Sequence, residues 1–301
     1  MNNTLTPMAS IDLSGMGVAL VTPFRPDKTI DYDSLARLLD YQIESGVAYM
    51  VVLGTTSENP ALEPSERIEL SDFIVRHVDG RVPLVRGVGG NNTAAVVREL
   101  RSLDLSPFSA ILSVVPFYNK PSQEGIYRHY EAIAEASPKP IVLYNVPGRT
   151  GVNMTAQTTL RLADAFPNIV AIKEASGNMQ QVDDIIHHKR PDFQVISGDD
   201  AITFPLITLG AVGVISVIGN AFPREFSHMV SLALKGEYDR AREIHYRFND
   251  LFRLLFVDGN PAGVKCVLHD MGMIDNELRL PLVPTRLTTD EQIRQFLQSL
   301  S

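Results

Sequence analysis

Cysteine occurs once in 301 residues, at Cys266, which excludes a disulfide framework and a cysteine zinc site. A lone thiol suits a reducing compartment, so a cytoplasmic location is expected. Positive charge is also short. The net charge is −8 and no basic stripe appears, which disfavours nucleic acid as a partner. Residues 1–13 carry no basic leader region, and the apolar run 15–21 stops at Thr22-Pro23, so no signal peptide is read. Charge is missing altogether between 201 and 223, a length that could cross a membrane. Pro205, Gly210, Gly213, Gly219 and Asn220 interrupt that stretch, and a helix end, a turn and a buried strand explain it better. No membrane partner is expected. No internal repeat or low-complexity linker divides the chain.

What the chain does have is alternation. Short apolar runs rich in β-branched residues fall at 16–24, 49–56, 82–89, 110–117, 140–147, 169–176, 193–199 and 213–220. All read as strands buried on both faces. Between them lie helical stripes such as Leu35, Leu38, Leu39 and Ile43, with Asp31, Ser122 and Thr155 as start signals. Such alternation demands parallel strands with right-handed crossovers. Eight units point to a closed (β/α)8 TIM barrel, with an open doubly wound sheet as the alternative. After Asn220 only helical patterns remain. Pro261 suits a first helical position, Gly272 a C-terminal stop, and Thr288 with Glu291 a capping box. The expected division is a barrel over 1–235 and a C-terminal helical extension over 236–301, packed on the barrel rather than independent.

Barrel chemistry belongs at the C-terminal ends of the strands. The sixth run, Ile169-Val170-Ala171-Ile172, ends on Lys173. Burying an ammonium is costly unless it is paired or loses its proton, and a desolvated lysine is the usual nucleophile for imine chemistry. The plainer reading is a strand-end lysine reaching water or an acid. Adjacent strands lie about 4.8 Å apart, so Tyr144 on the fifth can meet Lys173. Thr55 and Thr56 close the second strand and would face the lysine across the mouth. No histidine stands at any strand end. A tyrosine hydroxyl linked to threonine hydroxyls can therefore relay protons, while the threonine turn holds a small carboxylate and Arg149 clamps a second. Each has a dull alternative: Tyr144 as core, the threonines as turn residues, Arg149 as a solvated charge. The glycine-rich 87–93 reads as a turn and helix cap, and Asp199-Asp200 as a helix start rather than a metal site.

Gly54-Thr55-Thr56-x-Glu58, Tyr144-Asn145-Val146-Pro147-x-Arg149-Thr150-Gly151 and Ile172-Lys173-Glu174-Ala175 resemble the dihydrodipicolinate synthase family, lysine-dependent class I aldolases of the N-acetylneuraminate lyase superfamily. The likeness runs from about 17 to 282. It implies that Lys173 forms an imine with pyruvate, whose enamine adds to L-aspartate-4-semialdehyde, without cofactor or metal. It gives Tyr144 the proton transfers, with Thr56 and Tyr118 completing the relay. It assigns the pyruvate carboxylate to Thr55 and Thr56, the semialdehyde to Arg149, and a lining backbone carbonyl to Ile215. It also implies that Tyr118 reaches a neighbouring subunit's site, hence a tight dimer, commonly doubled to a tetramer. Two departures stand out. Ser57 replaces a glycine common in the family, which a turn tolerates if its φ is negative. Pro64, Arg67, Ala95 and Phe117 replace the groups that bind inhibitory lysine in regulated members, so feedback by lysine is expected to be weak or absent.

The rival with the same imine is a pyruvate-forming lyase of a keto sugar acid, which usually lacks the arginine matched by Arg149. A metal-dependent aldolase and a catalytically silent barrel that senses a small acid are more distant readings.

Overall fold

The computed structural model describes residues 11–300; the leader reading of residues 1–10 lies outside them. All eight expected strands form, as Gly15–Ala19 (β1), Tyr49–Val52 (β2), Leu84–Gly87 (β3), Ala110–Val114 (β4), Ile141–Asn145 (β5), Ile169–Glu174 (β6), Gln194–Ser197 (β7) and Gly213–Ser216 (β8). They pair in chain order and close into a barrel. The seam settles the choice against an open sheet: β8 runs parallel to β1, from Gly15 opposite Gly213 to Val18 opposite Ser216. Two glycines meet there because a Cβ on Gly213 would collide with the backbone of Gly15. Asn220 stitches the same seam above the strands, accepting from Val21 N at 3.1 Å and donating to Ala19 O at 2.8 Å.

All eight strands stop two to five residues earlier than the apolar runs suggest. The residues beyond them leave the ladder to form short helical turns at the barrel mouth, including Thr55–Ser57, Pro147–Thr150 and Asp200–Ile202. Apolar content persists because the residues just past the ladder, such as Leu20, Val21, Leu53, Val88, Val115 and Val146, stay buried. Strand alternation divides the core in two. Ala19, Tyr49, Val85, Val142, Ala171 and Ile196 fill the barrel, while Val18, Met50, Ile111, Leu143 and Ile172 pack outward against helices.

Asp31, Ser122 and Thr155 cap their helices as expected, accepting from the N–H groups of Ser34, Gly125 and Thr158. Helix Pro223–Leu234 packs on β1 and β8 as the eighth barrel helix and ends before Gly236, whose φ is 80°. Helices Tyr238–Arg247, Asn249–Leu254, Ala262–Asp270 and Leu287–Leu300 follow. Two local expectations fail. Pro261 stands one position before the helix Ala262–Asp270, and no Thr288–Glu291 box forms, since that last helix already starts at Leu287 and Asp290 takes the Thr285 hydroxyl instead. Among the described residues no helix is long and apolar enough to cross a membrane.

Candidate active site

Pairing of β5 with β6 sets Tyr144 opposite Lys173 and Asn145 opposite Glu174. Because alternate residues face opposite sides, one pair points into the barrel and the other toward the helices. On the outer side Glu174 is wholly buried, yet its carboxylate accepts from Asn145 Nδ2 at 3.0 Å, Gln181 Nε2 at 3.0 Å and Ser176 N at 2.7 Å. A buried charge satisfied this fully acts as a peg that fixes the end of β6. The inner side is different. Lys173 is 5% exposed, and its Nζ sits 4.5 Å from the centre of the Tyr144 ring. Among the described residues its ammonium has no carboxylate within ion-pair distance. Gly198 on the next loop leaves room for it, since a Cβ there would come within 3.1 Å of Lys173 Cε and 2.6 Å of Ala175 Cβ.

Lys173 and Tyr144 line a cavity of about 210 Å³ together with Thr55, Thr56, Arg149 and Asn260. A larger cavity of about 520 Å³ shares Thr55, Tyr144 and Arg149, and adds Arg67 and Phe117. The threonines are not equivalent. Thr56 is buried and its Oγ1 accepts from Asn260 Nδ2 at 3.0 Å, whereas Thr55 lines both cavities and has no side-chain partner among the described residues. Ser57 is accommodated because the left-handed residue of this turn is Glu58, φ 56°, and Ser57 bonds Gly54 O at 2.7 Å. Left-handed backbone recurs around the mouth. Leu53, Glu58, Tyr118 and Lys120 are four of the six non-glycine residues with positive φ among the described residues, a clustering common where backbone strain serves a site.

The Glu58 carboxylate is held from the far end of the chain. Lys265 Nζ donates to it at 2.5 Å and to Glu277 O at 2.8 Å, while Arg279 N donates to its other oxygen at 2.9 Å. Burial lowers the Lys265 pKa to about 8, opposed by the Glu58 charge. Opposite, Asp200 accepts from Val217 N and Ile218 N at 3.0 and 2.8 Å and fixes the turn after β8, where Val217 lines the lysine cavity. Complete burial raises its carboxyl to about 6.

Of the residues singled out from sequence, Lys173, Tyr144, Thr55, Thr56 and Arg149 come together. Two do not. Tyr118 is 89% exposed and lines neither cavity; Ile215 is buried in the barrel interior on β8 and lines neither as well.

A model of the dihydrodipicolinate synthetase family matches residues 12–300. The chain belongs to that family. A 4-hydroxy-tetrahydrodipicolinate synthase of Parabacteroides distasonis is 64% identical over 294 residues, 98% of this chain and 99% of the relative. The solved dihydrodipicolinate synthase of Aquifex aeolicus superposes with a TM-score of 0.92 at 38% identity, covering 96% of this chain and 98% of its own. That of Acinetobacter baumannii, solved complexed with pyruvate, gives 0.92 at 39% identity over 95% and 98%.

Three residues of this family member's site escaped the sequence reading. Gly198 carried no role there, although it stands at a strand end. Asn260 and Phe256 line the lysine cavity from the C-terminal region. No local pattern marks them, because their relevance arises from where the last helices pack.

Proposed function

We propose that this chain condenses pyruvate with L-aspartate-4-semialdehyde to 4-hydroxy-tetrahydrodipicolinate through an imine on Lys173. The observation that carries the proposal is a lysine lining a cavity, without an acidic partner among the described residues, against the ring of a tyrosine that shares the cavity. Family membership names the substrates. Lys173 Nζ attacks the pyruvate ketone carbon, giving a carbinolamine that loses water to an imine. Removal of a proton from the methyl carbon gives an enamine, whose carbon bonds to the semialdehyde carbonyl carbon. The amine of the second substrate then displaces Lys173 and closes the ring.

Tyr144 moves protons in these steps, because its hydroxyl group belongs to the one residue that neighbours Lys173 across the sheet and lines both cavities. The threonine turn shares these cavities with it. Thr55, beside Tyr144 in both cavities, supports a relay position, and Thr56, anchored by Asn260, a carboxylate-binding one; this refines the sequence reading, which gave the relay to Thr56. Arg149, exposed and outside every ion pair among the described residues, holds the semialdehyde carboxylate. Ile215, for which the family resemblance implies a lining backbone carbonyl, lines neither cavity, so no role is proposed for it. Tyr118 completes the relay in a neighbouring subunit, a role its 89% exposure supports, so a dimer or tetramer in the cytoplasm is the working form. The barrel over 1–235 and the extension over 236–301 act as one unit, since Asn260 and Lys265 grip the threonine turn.

Nothing favours the keto sugar acid lyase: the relatives named above are synthases. Arg67 and Phe117 line the larger cavity, and inhibition by lysine is expected to be weak or absent; an inhibition curve with a half-point well below millimolar lysine would overturn this. The deciding experiment adds pyruvate, reduces with borohydride and maps the adduct by mass spectrometry. A stable adduct on Lys173 is expected; labelling only at Lys120 or Lys265, or none, defeats the proposal.

A further inference from the structure

Thr56 has one side-chain hydrogen bond among the described residues, and in it the hydroxyl oxygen accepts. The donor is Asn260 Nδ2 at 3.0 Å, in a contact spanning 204 residues of sequence and closed to water. A hydroxyl carries one hydrogen and two acceptor sites, so an amide donated to its oxygen leaves that hydrogen free to be given elsewhere. Thr56 and Asn260 both line the cavity that holds Lys173, and the other Asn260 polar atom, Oδ1, is buried with no partner among the described residues. The turn itself has an independent hold, because Lys265 and Arg279 grip Glu58 two residues on.

We propose that Asn260 is a positioning residue of the condensation. Its amide occupies the Thr56 oxygen and so directs the Thr56 hydroxyl hydrogen at the pyruvate carboxylate. The inference rests on the function proposed above. It makes the C-terminal region a determinant of pyruvate affinity, acting through a threonine on the second strand's loop rather than through contact with the reacting atoms.

The reversed arrangement, with Thr56 donating to the asparagine oxygen, predicts different chemistry, and Asn260→Asp separates the two. Ionised aspartate can only accept, so it would capture the Thr56 hydrogen and bring negative charge toward the carboxylate. Half-saturation by pyruvate is read from borohydride trapping at Lys173. Asn260→Ala should raise it about tenfold, the worth of one hydrogen bond at the upper end of its usual range. Asn260→Asp, though closer in shape, should raise it by roughly a further tenfold at pH 8, reflecting the greater weight of hydrogen bonds to charged groups. That excess, taken as a ratio to the unsubstituted protein, should shrink as the pH falls and the carboxyl regains a donor.

A purely structural asparagine gives the opposite order, with alanine worse than aspartate and no recovery at low pH; that result overturns the inference. So does an Asn260→Ala effect of full size in a Thr56→Val background, where less than a twofold change is expected. The low-pH recovery is measured on one sample of Asn260→Asp, so a folding defect cannot imitate it. If the unsubstituted protein traps no pyruvate, the proposed function falls and carries this inference with it. If it traps pyruvate and the variants match it, only this inference falls.

Discussion

Lys173 and Lys265 both withdraw their ammonium groups from water, at 5% and 0% exposure, and both lie over an aromatic ring, Tyr144 at 4.5 Å and Phe24 at 4.3 Å. Their partners separate them. Lys265 gives hydrogens to the Glu58 carboxylate and the Glu277 carbonyl, so its charge is neutralised and its nitrogen occupied. Among the described residues Lys173 has neither kind of partner, and it opens on a cavity shared with Tyr144, Thr55 and Arg149. Depth of burial therefore does not distinguish the proposed nucleophile from the strut. A free nitrogen, space beside it and a neighbouring group able to move protons do so.

Two substitutions test this contrast. The larger effect should follow Lys173→Arg. Arginine keeps the charge but cannot form an imine, so turnover should fall by roughly 10⁴-fold or more, as loss of a covalent nucleophile does elsewhere. Its thermal unfolding should stay close to that of the parent, because no ion pair is broken. A variant retaining a tenth of the parental rate would end the assignment of Lys173.

Lys265→Met should do the reverse. It strands Glu58 in a dry site, and breaking a buried pair costs about 3–5 kcal/mol, measurable by urea unfolding. Adding Glu58→Gln should restore most of that stability, since a pair replaced on both sides is often nearly neutral. Activity should suffer only as far as the threonine turn shifts. If Lys265→Met left stability unchanged, the pair would not be the strut described here.

The barrel could be read from the chain because its evidence is local. A strand buried on two faces is a short apolar run, a crossover helix shows its own stripe, and eight alternations admit few topologies. The outcome that required folding was closure, fixed by the Gly15–Gly213 seam. The strand ends were overestimated because buried apolar residues such as Leu53, Val88 and Val146 continue past the last ladder pair. Lys173, Tyr144, Thr55, Thr56 and Arg149 were legible for a related reason: each stands on or just after the C-terminal end of a strand, where the fold rule already looks for chemistry.

Gly198, Asn260 and the Glu58–Lys265 pair were not legible in that way. Gly198 matters only because Lys173 Cε passes beside it, and asparagine at 260 is unremarkable until it meets Thr56 across the molecule. Periodicity and residue type thus specified the barrel, the position of the proposed nucleophile and the side chains around it, since those depend on near neighbours in the chain. Which lysine is free and which is locked, which threonine has its oxygen engaged, and which carboxyl is pushed up to about 6 were decided by packing. Those properties depend on solvent exclusion and on partners up to 207 residues apart, which no local pattern encodes.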